Sequence, residues 1–265
     1  MELQAYQIDA FTRRVFQGNP AAVVPLRQWL PERLMQRIAM ENNLSETAFF
    51  VPEGDRYHLR WFTPDTEVSL CGHATLATAH LLFTELGHDG QRICFHTASG
   101  LLEVTRADEG YRMRFPRCEP QPAQLDPYVC AAMGCKAEQQ WQAGENVLLL
   151  YPDRTTLERL QPDFPRLAET TGHGVIATAP GDGAFHFFSR FFAPALGVNE
   201  DPATGSAHCA LAPFWGQRLG KQHLHALQCS PRRGWIDCIL EPEHVILQGQ
   251  AVLYARFQIP LPEPV

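Results

Sequence analysis

Apolar and polar positions alternate along "LQAYQIDAF", near the start of the chain, with the period of a half-buried strand. Gly18-Asn19-Pro20 then turns the chain into a second strand, "AAVVP". Pro31 opens a helix in which Leu30, Leu34, Met35 and Ile38 recur at helical spacing. "ETAFFVP" and "YHLRWFTP" read as strands, and "GHATLATAHLLFTELG" as a helix that stops at Gly87. That helix is apolar on nearly every side, so it belongs inside a core. "RICFHTA", "LLEVTR" and "YRMRF" follow as successive antiparallel strands, turning at Ser99-Gly100 and Glu109-Gly110.

The pattern breaks at "PRCEPQPAQLDP", where prolines crowd out apolar residues. This linker predicts a first domain over 1–117 and a second over 118–265, with the last strand free to pair with the first domain. The second part restarts with a helix near 124–133, a strand at "VLLLY", helical stretches near 155–169, and strands at "GVIATAP" and "AFHFFSRFFAP". "GSAHCALAPFWGQRLG" is a further helix closed by glycine, and Pro213 inside it predicts a kink or an early break. Strands near "HALQC", "GWIDCIL" and "VILQGQAVLYARF" end the chain.

The two parts share more than their order of elements. Superposing Glu67 on Glu200 places Gly72 on Gly205, Ala74 on Ala207 and Ala77 on Ala210, and Phe62-x-Pro64 and Phe192-x-Pro194 precede both. Each half therefore reads as strand, F-x-P turn, acid, Gly-x-Ala, buried helix. The first turn of a helix carries unpaired N–H groups and about half a positive charge. The small residues around Gly72 and Gly205 let a ligand approach that backbone closely. Two such helix starts facing one cleft would hold a carboxylate or oxyanion without any lysine or arginine.

Composition narrows the function. The chain has 265 residues, 45% of them hydrophobic and 19% charged, which suits a soluble protein with ample core. A net charge of -7 without a Lys/Arg run argues against nucleic acid as a partner. "MELQAYQIDAF" lacks the features of a signal peptide, and no apolar run is long enough to span a bilayer, so no membrane partner is expected. The eight cysteines form no C-x-x-C pair, and Cys130 and Cys135 have poor spacing for zinc. Scattered thiols of this kind read as reduced, which predicts a cytoplasmic protein.

"QIDAFTRRVFQGNPAAVV", "NNLSETAFF", "FTPDTEVSLCGHATLATA" and "NEDPATGSA" together resemble the phenazine-biosynthesis PhzF-like isomerases, in motif order and over nearly the whole chain. The resemblance implies an α+β fold of the diaminopimelate-epimerase type: two pseudo-symmetric domains, each a curved, mostly antiparallel sheet wrapped around a central helix, with the site at the domain interface. It implies no metal or organic cofactor, a homodimer, and a catalytic glutamate in S-E-[ST]-x-F, which is Glu46 here. The family's other site residues match His73, Asp201 and Ser206, with Gly72 and Gly205 beside them. Two departures stand out. The chain is short for the family towards its C-terminus. Where cofactor-independent epimerases of this fold use two cysteines, it has Cys71 and Thr204.

Each candidate also has a plainer reading. Glu46, between "NNLS" and "TAFF", fits a surface acid at a strand start; a catalytic carboxyl group would exploit the apolar edge, where desolvation raises its pKa. His73 fits a structural histidine; His80 lies along the same helix face, but no acid or thiol completes a metal set, so no metal site is expected. Asp201 and Ser206 fit helix caps as well as substrate contacts. Cys71 packs like a small apolar residue, although a helix N-terminus favours its thiolate. No G-x-S-x-G, P-loop or triad pattern occurs. The expected activity is therefore a cofactor-independent isomerase or epimerase that moves a proton on a small carboxylic or amino-acid-like metabolite. Two alternatives stay open: a non-catalytic small-molecule-binding protein of the same fold, and a thiol-dependent racemase using Cys71.

Overall fold

The computed structural model describes residues 2–124 and 126–261. The chain divides into two units, one of residues 1–114 and 249–265, and another of residues 115–248. The sequence-based division at 117/118 falls three residues from the first of these borders.

The first unit runs β1 (Glu2–Ala10), β2 (Asn19–Pro25), α1 (Glu32–Asn42), β3 (Glu46–Glu53), β4 (Arg56–Phe62), β5 (Glu67–Val68), α2 (Gly72–Thr84), β6 (Arg92–Thr97), β7 (Gly100–Arg106) and, at its border, β8 (Tyr111–Pro116). The second runs β9 (Gln121–Pro122), α3 (Pro127–Ala132), β10 (Gln139–Ala143), β11 (Asn146–Leu150), α4 (Arg154–Glu158), α5 (Phe164–Thr170), β12 (Val175–Pro180), β13 (Phe187–Ala193), β14 (Val198–Asp201), α6 (Gly205–Leu219), β15 (His223–Gln228), β16 (Gly234–Leu240) and β17 (His244–Gly249). β18 (Ala251–Pro260) belongs to the first unit, where it pairs antiparallel with β1. The helix expected near 124–133 is α3; residue 125 of that range lies outside the described residues. The apolar tail "VILQGQAVLYARF" is two strands, β17 and β18, parted at Gln250.

Strand directions repeat from unit to unit. In the first, β1–β2 is antiparallel, β2–β3 parallel, β3–β4 and β4–β5 antiparallel, β4–β6 parallel, and β6–β7–β8 antiparallel. In the second, β10–β11, β11–β12, β12–β13, β13–β14, β13–β15 and β15–β16–β17 follow the same directions in the same order. The short β9 pairs antiparallel with β10 as β18 does with β1. The repeat visible in one motif thus extends through each unit: a mostly antiparallel sheet with two parallel pairs, and one buried helix at its centre.

Helix burial follows from composition. α2 buries ten of its thirteen residues, and it packs on β1, β2, β3 and β18. α6 packs on β15 and β16, with Ala207 through Gly216 buried. α1 is amphipathic instead, and lays Met35, Ile38 and Ala39 against Phe49, Val51 and Phe62 of the opposite sheet face. Gly18 is obligatory at the β1–β2 turn, because its φ is +67° and a Cβ there would meet Ala10 O at 2.1 Å. The expected break at Pro213 does not occur: α6 continues to Leu219. Proline leaves the carbonyl of Cys209 without its helical donor, and the Cys118 N–H supplies one at 3.1 Å. No helix among the described residues is long and apolar enough to cross a membrane.

A matching charge clamp ties down the turn before each central helix. Arg60 on β4 bonds Glu67 with both fork nitrogens, at 2.7 and 2.6 Å, and lies over the Phe62 ring. Arg190 on β13 bonds Glu200 in the same way, at 2.8 Å twice, and lies over Phe192. Arg190 also donates to the Leu157 and Leu160 carbonyls and is nearly buried. The repeat is therefore R-x-F-x-P, and in both units the arginine's partner is the glutamate.

Burial sets the cost of breaking these clamps. Glu200→Ala strands a buried guanidinium and should cost roughly 3–5 kcal/mol. Glu32→Ala removes only the exposed second partner of Arg60 and should cost less than about 1 kcal/mol. Urea unfolding midpoints of the two variants measure the contrast. Burial also pushes His73 down to about 3, and His80 and His208 down to about 4. The unfolded chain titrates near 6.5, so between those values it binds protons that the folded chain does not. Stability is therefore complete above about pH 6.5 and falls as pH drops towards 4, each histidine adding up to about 1.4 kcal/mol per pH unit. His208→Asn should flatten that slope when urea midpoints are plotted against pH; an unchanged slope would remove His208 from the account.

Candidate active site

In the first unit, Glu46 opens β3 and keeps 17% of its side chain exposed. Cys71 is the N-cap of α2, and Gly72 and His73 form its first turn. The buried His73 ring lies between three side chains. Its Nδ1 is 3.2 Å from Asn19 Nδ2 and 3.5 Å from Cys71 Sγ, and its Nε2 is 3.2 Å from Glu46 Oε2. The Asn19 Nδ2–H2 donates to Nδ1, which places the imidazole proton on Nε2, facing the carboxylate. The two stand at hydrogen-bond distance without being aligned for one. Burial keeps this imidazole neutral, and the positive end of α2 works in the same sense. The pair is a neutral donor beside a carboxyl group and not an ion pair.

In the second unit, Asp201, Thr204, Gly205 and Ser206 share one turn. Thr204 is the N-cap of α6, but its hydroxyl donates back to Asp201 Oδ2. Ser206 is exposed in the first turn. Gln228, wholly buried on β15, binds this turn at three points. Its Nε2 donates to Asp201 O at 2.7 Å and to Thr204 Oγ1 at 3.1 Å, and its Oε1 accepts from the Thr204 N–H at 2.8 Å. The two helix starts are built alike. Thr75 Oγ1 donates to Cys71 O at 2.6 Å, and His208 Nδ1 to Thr204 O at 2.8 Å, from matching positions.

Capping separates these helices from others in the chain. Asp126, Asp153 and Asp163 cap α3, α4 and α5 by accepting from first-turn N–H groups. Neither Cys71 nor Thr204 makes such a bond, so first-turn N–H groups of α2 and α6 are not taken by their own N-caps.

The duplication is broken at the acid. Phe62 lies opposite Thr47 and Phe192 opposite Val175, so Glu46 corresponds to Gly174. A Cβ at Gly174 would meet the Phe191 ring at 2.2 Å and Asn146 Oδ1 at 2.8 Å. An equivalent of Glu46 in the second unit would require the Phe191 ring and the Asn146 amide to move aside.

Glu46, Cys71 and His73 place donor atoms within 4.8 Å of one another. The imidazole lies between thiol and carboxylate and turns one nitrogen towards each. The thiol and the carboxylate thus face different ring nitrogens, whereas a metal would be held through one of them. Sequence reasoning missed Asn19, Gln228 and both arginines. Gln228 could have been found as the lone polar residue between apolar Ala226-Leu227 and Cys229, and the arginines by extending the repeat two positions upstream.

The comparisons with known proteins agree over the full length. The family model described as phenazine biosynthesis-like protein, PhzC-PhzF, matches residues 8–256. An uncharacterized isomerase of Pseudomonas aeruginosa is 48% identical over 98% of this chain and 100% of its own length. A human phenazine biosynthesis-like domain-containing protein is 39% identical over 96% of this chain and 97% of its own. The crystal structure of a PhzF-family protein from Enterococcus faecalis aligns with a TM-score of 0.94 at 46% identity, covering 98% of this chain and 100% of that one. The chain belongs to the PhzC-PhzF family of phenazine biosynthesis-like proteins.

Proposed function

We propose that this protein is a cofactor-independent isomerase or epimerase that moves a proton on a small carboxylic or amino-acid-like metabolite. The observation that carries this reading is the single carboxyl group set against a neutral imidazole at a helix start that its N-cap leaves open. The names of the relatives support the reaction class.

Glu46 takes a proton from one substrate carbon and returns it to another, so no proton is gained or lost overall. His73 contacts the substrate, and its Nε2–H, 3.2 Å from Glu46 Oε2 but out of line in the free chain, comes into line with the carboxylate when substrate is bound. The negative charge that develops on the substrate is met by first-turn N–H groups of α2 and α6, at Gly72 and Gly205, and by the Ser206 hydroxyl. Asp201, held by Thr204 and Gln228, fixes the substrate's polar end. That both half-sites serve one substrate is part of the proposal and rests on the duplicated Gly-x-Ala motif. Gly174 supports a one-acid shuttle over a pair of opposed bases.

The two alternatives fare differently. The thiol racemase needs two opposed thiols, and the position matching Cys71 is Thr204, whose hydroxyl is engaged with Asp201. The binding-protein reading is separated from the proposal by exchange of substrate hydrogen with solvent.

The decisive measurement is deuterium wash-in from D2O, followed by NMR over a panel of small carboxylates. The wild type should label at least one of them. Glu46→Gln should fold normally, keep binding, and lose at least about a hundredfold in wash-in. Asp201→Asn should mainly weaken binding. Cys71→Ala should stay within a few-fold of wild type, and its loss of exchange with intact folding would promote the racemase. Wild-type exchange in Glu46→Gln would remove Glu46 as the shuttle.

A further inference from the structure

Glu53, His58 and His96 form a second cluster in the first unit, apart from Glu46, Cys71 and His73. Strand register builds it. Val51 on β3 lies opposite His58 on β4, and His58 lies beside His96 on the parallel strand β6. Residues paired across a sheet share a face, so both imidazoles project from the same side. Their rings stack with centroids 5.0 Å apart and planes 22° from parallel. Glu53, two positions after Val51, stands on that face as well. Its Oε2 is 3.3 Å from His96 Nδ1, and donor atoms of all three residues lie within 4.8 Å of one another. Trp29 packs edge-on against His58 at 5.0 Å and steadies that ring. His96 and Glu53 remain half exposed, which leaves a path for an ion. Arg60, on the same face, is already bonded to Glu67 and Glu32, which reduces its opposition to a cation.

We propose that Glu53, His58 and His96 bind a divalent transition-metal ion, with zinc the best fit. Two imidazoles and a carboxylate are borderline donors suited to zinc, cobalt or nickel and poorly suited to magnesium or calcium. Two ligands on one tetrahedral zinc stand about 3.4 Å apart, given bonds of about 2.1 Å. The Glu53–His96 pair already has that spacing, and His58, whose ring plane is 22° from that of His96, turns out of the stack to bring its nitrogen to the same ion. The fourth position is left to water or a solute anion. Glu53 closes the strand that Glu46 opens, seven residues away at about 3.3 Å each, so the ion would sit about 23 Å along the strand from the proposed shuttle. It would act as a staple across β3, β4 and β6, of which β4 and β6 pair only over Tyr57–Phe95 and His58–His96 and are connected along the chain by a long crossover containing α2.

The test uses the full chain without a histidine tag, stripped with chelator and titrated with zinc chloride by calorimetry, and with cobalt chloride by visible absorption. The wild type should bind one zinc with micromolar or tighter affinity at this cluster, show a tetrahedral cobalt spectrum, and gain in melting temperature with zinc. His96→Ala and Glu53→Gln alter half-exposed side chains and should fold normally, as circular dichroism checks. Each should weaken that binding at least about tenfold and lose the melting shift. His225→Ala, an exposed histidine on the second unit, and Cys71→Ala should bind like the wild type. The proposal is overturned if the wild type takes up no zinc at concentrations below about 100 μM. It is equally overturned if the His96 and Glu53 variants bind like the wild type, or if only Cys71→Ala loses the ion.

Discussion

A helix that is apolar on every side has one stable place, inside a sheet, and the architecture of each unit follows from meeting that demand. α2 and α6 are such helices. Once they are enclosed, their long axes are hidden and only their ends can do chemistry. The end that carries free N–H groups and partial positive charge is then the natural seat for an anion. Enclosure thus decides the fold and leaves the helix starts as the places where the chain can meet an anion.

Enclosure alone would leave the helix starts loosely placed. The bidentate Arg60–Glu67 and Arg190–Glu200 clamps fix the turn that leads into each helix, and the wholly buried Gln228 fixes the backbone between Asp201 and Thr204. None of these groups is proposed to touch a substrate. They set the directions of groups that would, which is why polar side chains are retained in an otherwise apolar interior despite the cost of desolvating them.

Much of this was legible in the sequence. Strand alternation placed β3, β4, β6, β7 and β8, and the all-round apolar character of "GHATLATAHLL" identified a buried helix. Motif spacing paired Gly72 with Gly205. What escaped was information carried by contacts distant in the chain. Asn19 meets His73 only because β2 packs on α2, and Gln228 reads as one polar residue in an apolar strand until its three partners are seen. Pro213 misled for the same reason. Its usual penalty is the stranded carbonyl of Cys209, and the donor that relieves it comes from Cys118, far away in sequence. Parallel pairing was also invisible, since alternation gives the period of a strand and not its direction.

The glycine at 174 has a consequence for how such a protein can change over generations. Duplication makes two equal copies, and equal copies can in principle drift in either direction. Here one copy has filled the space beside its strand start with the ring of Phe191 and the amide of Asn146. A carboxylate returning to that position would meet both groups at once, so the ring and the amide would have to turn aside to admit it. The two halves are thus unequal in their starting points: a change that adds an acid to the second must also move its neighbours, while changes around the existing acid in the first need not.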